Sequence, residues 1–295
     1  MIAAVELGGT KVLAAIARDP LKPLRQIRIS TDEPSATLRA VADFFDEARE
    51  ELGQPEALGI ASFGPIDIRP GSPGWGRMGR TTKPGWAGAD VGGYLGRRLG
   101  SPVNLDTDVN GAALAEARWG AGRGLGSIAY LTVGTGIGGG IAINGEALHG
   151  AAHPEIGHVR IRRDPGDSYS SRCPYHEDCA EGLASGPAIM ERFGKTLTEL
   201  EPDHPFRSIL ADYLGQVCAT LVLIASPQRI VIGGGVMTGG ALHAGVEKAM
   251  LRWLNGYVET GPADGSPFIV PPGLGDQAGL AGGFALAQDL LEGGE

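Results

Sequence analysis

Cys173, His176 and Cys179 recur at three-residue intervals, with His158 upstream. Thiolate and imidazole are the donors that close tetrahedral zinc sites, and four protein ligands leave no coordination position for a substrate. A metal held here is therefore expected to be structural. The run SYSSRCPYHEDC has no apolar periodicity that would fix it by packing, so a metal cross-link has a clear use. Spacing alone leaves open whether His158 supplies the fourth ligand. Glu155 and Glu181 bracket the stretch 153–181 and read either as surface charges or as partners in a site beside the metal.

Two further stretches can hold an anion. Gly8-Gly9-Thr10, followed by Lys11, and GTGIGGG, which begins Gly134-Thr135-Gly136, each set a threonine among backbone N–H groups exposed by glycine. Such turns can wrap an anion with amides and a hydroxyl, and Lys11 adds positive charge. One turn of this kind reads as a plain hairpin; two of matching design favour phosphate binding. Gly134, Gly136 and Gly139 also satisfy G-x-G-x-x-G, but IAINGEALHG continues as strand and turn, whereas a dinucleotide fingerprint opens a helix. Neither turn ends in the Gly-Lys-Ser/Thr of a P-loop.

Asp108 falls where a strand hands over to a helix. It can cap that helix. If Asp106 or Thr107 caps instead, Asp108 is free to accept a proton from a substrate hydroxyl. His149, His153, His204 and His243 have no distinguishing spacing and read as structural or surface residues, and Cys218 as a buried helix residue.

The elements that must position these residues alternate in type. Strands are expected at 2–7, 11–18, 57–62, 103–106, 127–133, 141–145, 229–232 and 268–270. Helices are expected at 35–52, 90–99, 109–119, 186–193, 206–225, 241–254 and 279–291. Leu38, Val41, Phe44, Phe45 and Ala48 share one face of the first helix. The chain turns at Phe63-Gly64-Pro65, and 69–88, rich in Gly, Pro and Trp, reads as a long loop; loops of that length are more often functional than idle. The two glycine hairpins imply two halves on one plan. The expected organisation is a small α/β domain, 1–108, completed by a C-terminal helix 279–295, and a large α/β domain, 109–278, carrying the 153–181 loop.

Composition narrows the class. The chain has 295 residues, a formal charge of −9, 42% hydrophobic and 20% charged residues. The acidic balance argues against nucleic acid, which needs a basic face. Three cysteines suit a reducing compartment better than a disulfide framework. No apolar run reaches the roughly 20 residues that a membrane span needs, and the N-terminus lacks a signal-peptide pattern. A soluble, cytoplasmic protein is expected.

With these residues in view, the chain resembles the ROK sugar-kinase family, and within it the bacterial fructokinase branch. The resemblance runs from ELGGTK to DQAGLAGGFALA and rests on Thr-Asp-Val-Asn at 107–110, LTVGTGIGGGI at 131–141, HPEIGH at 153–158, CPYHEDCAEGLASGP at 173–187 and IVIGGGV at 230–236. It implies an actin-like ATPase architecture, two ribonuclease-H-like α/β domains flanking a cleft. It also implies ATP-dependent phosphorylation of a free hexose, D-fructose to fructose 6-phosphate, with ATP, Mg²⁺ and structural Zn²⁺. Asp108 aligns with the catalytic base. Glu155, His158 and Glu181 align with sugar-hydroxyl binders, and His158, Cys173, His176 and Cys179 with zinc ligands. Gly9, Thr10, Lys11, Thr135 and Gly136 fall in the phosphate loops, Gly234 and Gly235 in the adenosine motif, and Pro187 near the nucleotide. Gly64 and Thr107 fall on the sugar side. Thr107 stands where glucose-specific members carry Asn, which argues against a glucokinase. Glu6 replaces the Asp of many members at a position that bears on Mg-ATP, and His176 replaces a cysteine of the common zinc motif; both occur in the fructokinase branch. A homodimer is usual there.

The resemblance leaves mannokinase, glucokinase and N-acetylhexosamine kinase as alternatives. A repressor of the same family is disfavoured, because its helix-turn-helix would precede the turn at Gly8. An actin-like ATPase acting on protein partners would have no use for HPEIGH beside a metal knot.

Overall fold

The computed structural model describes residues 1–262 and 265–293. The chain divides into two compact units, one of Met1–Ala115, His149–His153 and Asp276–Glu295, the other of Glu116–Leu148 and Pro154–Gly275.

The first unit contains β1 (Ile2–Leu7), β2 (Lys11–Asp19), β3 (Lys22–Ser30), α1 (Pro34–Leu52), β4 (Ala57–Ser62), α2 (Val91–Leu99) and β5 (Val103–Thr107). Helix α3 (Asp108–Trp119) follows, and the division between the units falls within it. The sheet order is β3-β2-β1-β4-β5, with β1, β2 and β3 antiparallel in turn and β4 and β5 parallel to β1. Strand β1 is covered on both faces, so it reads as a nearly continuous apolar run. Ala3, Val5 and Leu7 pack with the expected face of α1, while Ile2 and Ala4 pack with Leu280, Phe284 and Ala287 of the C-terminal helix.

Strand β3 was not expected from the sequence. Its exposure alternates along KPLRQIRIS, with Ile27 and Ile29 inward, and Pro23 and its charges mask the pattern at this sheet edge.

The second unit contains β6 (Ser127–Val133), β7 (Ile137–Ile143), β8 (Glu146–Ala147), α4 (Ala180–Ala184), α5 (Gly186–Phe193), α6 (Phe206–Ala225), β9 (Arg229–Gly233), α7 (His243–Leu254) and β10 (Ile269–Val270). Its sheet runs β8-β7-β6-β9-β10: again an antiparallel meander followed by two parallel strands. The two units thus repeat one plan.

The second glycine turn is shorter than expected. Gly138, Gly139 and Gly140 lie in β7, and a Cβ on Gly139 would stand 2.7 Å from Leu131 Cδ2 and 2.8 Å from Ile156 Cδ1. Helix α6 also corrects a sequence expectation, being long and apolar enough to cross a membrane by length and composition. Of its most apolar window 61% is buried, and Leu210, Leu214, Val217 and Cys218 belong to the core of this unit.

The final helix, α8 (Ala278–Glu292), belongs to the first unit. Its small residues allow close approach: a Cβ on Gly59 of β4 would fall 1.8 Å from the carbonyl oxygen of Gly283. The last two residues of the expected 279–295 helix, Gly294 and Glu295, lie outside the described residues.

Candidate functional site

In the first unit, Leu7 pairs with Ser62 and Ser62 with Thr107, all on parallel strands. The segments that follow, Gly8–Lys11, Phe63–Pro65 and Asp108, therefore leave the sheet at one edge. In open α/β sheets, the carboxyl ends of parallel strands are where ligands bind.

At the head of α3 the capping question has an answer. Thr107 Oγ1 accepts the Asn110 N–H at 3.2 Å, and Asp106 Oδ1 accepts the Thr107 N–H at 2.7 Å and Asn110 Nδ2 at 2.8 Å. Asp108 occupies the first turn instead, partly exposed, with Oδ1 accepting the Val109 N–H at 2.9 Å. Thr107 itself is buried.

Asp106 is buried, and its other oxygen lies 2.7 Å from His149 Nε2. That hydrogen bond raises the His149 pKa above its ordinary value. The sequence offered no sign of this pair, because nothing in spacing links residues 106 and 149. His153 Nε2 accepts the Ile66 N–H at 3.4 Å beside Gly64, which precedes a cis proline.

The first glycine turn is closed by the Gly8 N–H donating to Lys11 O at 3.0 Å. Thr10 is exposed, and a Cβ on Gly9 would meet nothing within 4 Å, so the surface of this turn is open. Glu6, just before it, is pressed against Gly279, where a Cβ would come within 2.4 Å of its carboxyl carbon. Burial raises the pKa of Glu6, and its Oε2 is buried without a protein partner.

In the second unit, Thr132 pairs with Gly233 on the parallel strands β6 and β9, so Gly134–Gly136 and Gly234–Gly235 also leave their sheet at one edge. Gly186, at the start of α5, donates its N–H to Gly134 O at 2.8 Å, which brings Pro187 to the same turn. Gly234 must be glycine: its φ is +94°, and a Cβ would lie 2.4 Å from Val133 O. Thr135, Gly136, Pro187, Gly234 and Gly235 thus follow the carboxyl ends of β6 and β9 or are tied to the turn between β6 and β7.

The 3₁₀ turn Ile156–His158 rides on β7, where a Cβ on Gly157 would fall 1.8 Å from Ile137 O. It presents Glu155 at its exposed start and His158 at its end. His158, Cys173, His176 and Cys179 converge, each offering one ligand atom, all within 4.8 Å of one another. His158 Nδ1 lies 3.7 Å from both Cys173 Sγ and Cys179 Sγ, and His176 Nδ1 3.6 Å from Cys173 Sγ. Zinc–sulfur and zinc–nitrogen bond lengths imply a tetrahedral ligand–ligand edge of about 3.5 Å, so the donor set fits that ion. Burial pushes the Cys179 thiol up to about 11, and a bound cation would oppose that.

Glu181 connects the cluster to the turn. It stands in the first turn of α4, which Cys179 caps through the Gly182 N–H at 3.4 Å. Its Oε2 accepts the Ile137 N–H at 2.9 Å, and its Oε1 is 3.8 Å from His158 Nε2.

The sequence profile of the ROK family matches residues 2–290. A fructokinase of Zymomonas mobilis is 46% identical over 287 residues, covering 96% of this chain and 95% of the relative. A fructokinase of Pediococcus pentosaceus is 39% identical, covering 99% of each chain. Among solved structures, a ROK hexokinase from Thermus thermophilus superposes with a TM-score of 0.81 at 31% identity, covering 99% of each chain.

Proposed function

Because this chain belongs to the ROK family, we propose that it transfers the γ-phosphoryl group of ATP to a free hexose, converting D-fructose to fructose 6-phosphate. The observation that carries the reading is Glu181, joined to the second glycine turn through Ile137 and lying beside His158. One carboxylate thereby bears on a phosphate-type turn and on a histidine of the Cys/His cluster. The full-length likeness to two fructokinases supports fructose as the acceptor.

In this mechanism Glu155, His158 and Glu181 bind sugar hydroxyls, with Gly64 and Thr107 on the sugar side. Asp108 takes the proton of the attacking hydroxyl as its oxygen bonds to the γ-phosphorus. The bond from that phosphorus to the β,γ-bridging oxygen breaks, and its electron pair leaves with ADP. Such a transfer depends on alignment and charge neutralisation more than on covalent help from the protein. Gly9, Thr10, Lys11, Thr135 and Gly136 hold phosphates, with Pro187, Gly234 and Gly235 beside the nucleotide.

The orphaned buried Oε2 of Glu6 fits a nucleotide carrying Mg²⁺, since that ion takes oxygen ligands directly or through water. Bound with the nucleotide, Mg²⁺ neutralises phosphate charge. The Cys/His cluster fits Zn²⁺ as a structural brace, and a cytoplasmic homodimer completes the reading.

The test is ADP release by the purified protein with ATP and fructose, mannose, glucose or their N-acetyl forms. Fructose is expected to give the highest kcat/KM, and no turnover on any sugar refutes the kinase reading. A best rate on another hexose would favour the second reading, a broader or different hexose kinase, which the likeness to a ROK hexokinase supports.

A further inference from the structure

The loop 69–88 is bound to the first glycine turn through one side chain. Lys83 Nζ donates to Gly9 O at 2.7 Å and to Thr31 O at 2.8 Å. The loop is built to deliver it. Pro84 constrains the Lys83 backbone to extended conformations, Gly85 turns at φ +78°, and the fully buried Trp86 donates Nε1–H to Asp32 O at 2.8 Å. Thr31 completes the clasp, donating Oγ1–H to Gly8 O at 2.6 Å and its N–H to Thr10 O at 3.1 Å.

The carbonyls of Gly8, Gly9 and Thr10 are therefore each held by a donor. In a planar trans peptide the C=O and the next N–H point in opposite directions. Tying back these oxygens removes three negative dipole ends from the opposite side of the turn and directs the N–H groups of Gly9, Thr10 and Lys11 towards it. An ammonium on the Gly9 carbonyl also polarises that peptide, strengthening the Thr10 N–H as a donor to an anion.

We propose that Lys83 is a positioning residue for nucleotide phosphate: it acts through the Gly9–Thr10 peptide and couples the 69–88 loop to phosphate binding. The inference rests on the assignment of this turn to phosphate in the kinase reading.

The test compares Lys83→Met, which keeps the apolar stem and removes the ammonium, with Lys83→Arg and the unaltered protein, by titration with ATP and with adenosine. Loss of charge-assisted hydrogen bonds is expected to weaken ATP binding by about tenfold or more in Lys83→Met. Adenosine affinity and the KM for sugar should stay within about twofold, because neither ligand bears phosphate on this turn, and Lys83→Arg should recover part of the ATP affinity. If Lys83→Met does not fold, Lys83→Gln, which keeps a neutral donor, gives the same comparison. Unchanged ATP affinity in the variants, or equal weakening of ATP and adenosine, overturns the inference while leaving the kinase reading intact. Absence of ATP binding by the unaltered protein overturns both.

Discussion

Glu181 lies with Oε1 3.8 Å from Nε2 of His158, and the other nitrogen of that imidazole faces Cys173 and Cys179 at 3.7 Å. The ring thus has a thiol-facing edge and a carboxylate-facing edge. A bound cation on Nδ1 would fix the ring plane and so fix where Nε2 is presented, the outer-shell logic of metal-bound histidines seen from the ligand's far side.

Removal of the metal is accordingly expected to cost both stability and sugar binding. Elemental analysis should find one zinc per chain. Chelation should lower the melting temperature by an amount corresponding to several kcal/mol, because structural zinc binding is folding free energy. A protein that contains no zinc, or whose melting is unmoved by chelator, refutes the assignment.

Glu181→Ala should raise the KM for sugar and lower stability by about 1–3 kcal/mol, since the Ile137 N–H loses its acceptor. Denaturant unfolding checks the stability change and steady-state kinetics the KM. An unchanged sugar KM would remove Glu181 from the sugar site.

Asp108→Asn is expected to lower kcat by about 10²–10⁴, the usual contribution of a positioned general base, with sugar and ATP binding retained. Because Thr107 supplies the helix cap, the substitution should leave melting nearly unchanged. Near-normal turnover would show that Asp108 is not the base.

The Asp106–His149 pair makes a prediction in pH. The folded pKa of His149 is raised above its unfolded value by the hydrogen bond to Asp106. Its stabilisation is therefore complete below the unfolded pKa near 6.5 and is lost as pH rises through the folded value. His149 is 44% exposed at its side chain, so solvent screening limits the effect to below about 1 kcal/mol. The melting-temperature difference between the protein and His149→Gln should be largest below the unfolded pKa of about 6.5 and shrink as pH rises through the raised folded value. A difference that grows with pH contradicts the pairing.

Gly59→Ala should destabilise the first unit by about 2 kcal/mol or more, because its methyl group would meet the backbone of α8 at Gly283 rather than a side chain able to move. Thermal or chemical unfolding measures it directly, and near-wild-type stability would mean that β4 and α8 can separate without cost.

The sequence by itself determined the features whose causes are local. The apolar face of α1, the two Gly/Thr hairpins and the Cys-x-x-His-x-x-Cys chelate all arise within one helical repeat, one turn or one loop. Tertiary structure decided the rest. Strand β3 is held by pairing to β2 at a half-exposed edge, where polar residues and Pro23 hide the alternation. Gly139 of β7 reads as turn in the sequence, because what requires a glycine there is the approach of Leu131 and Ile156, from another strand and a 3₁₀ turn. Asp106 with His149, and Lys83 with Gly9, are partners 43 and 74 residues apart. Periodicity and turn chemistry report which face is buried and where the chain bends; which distant groups then meet depends on strand order and register, and those are settled only when the sheets assemble.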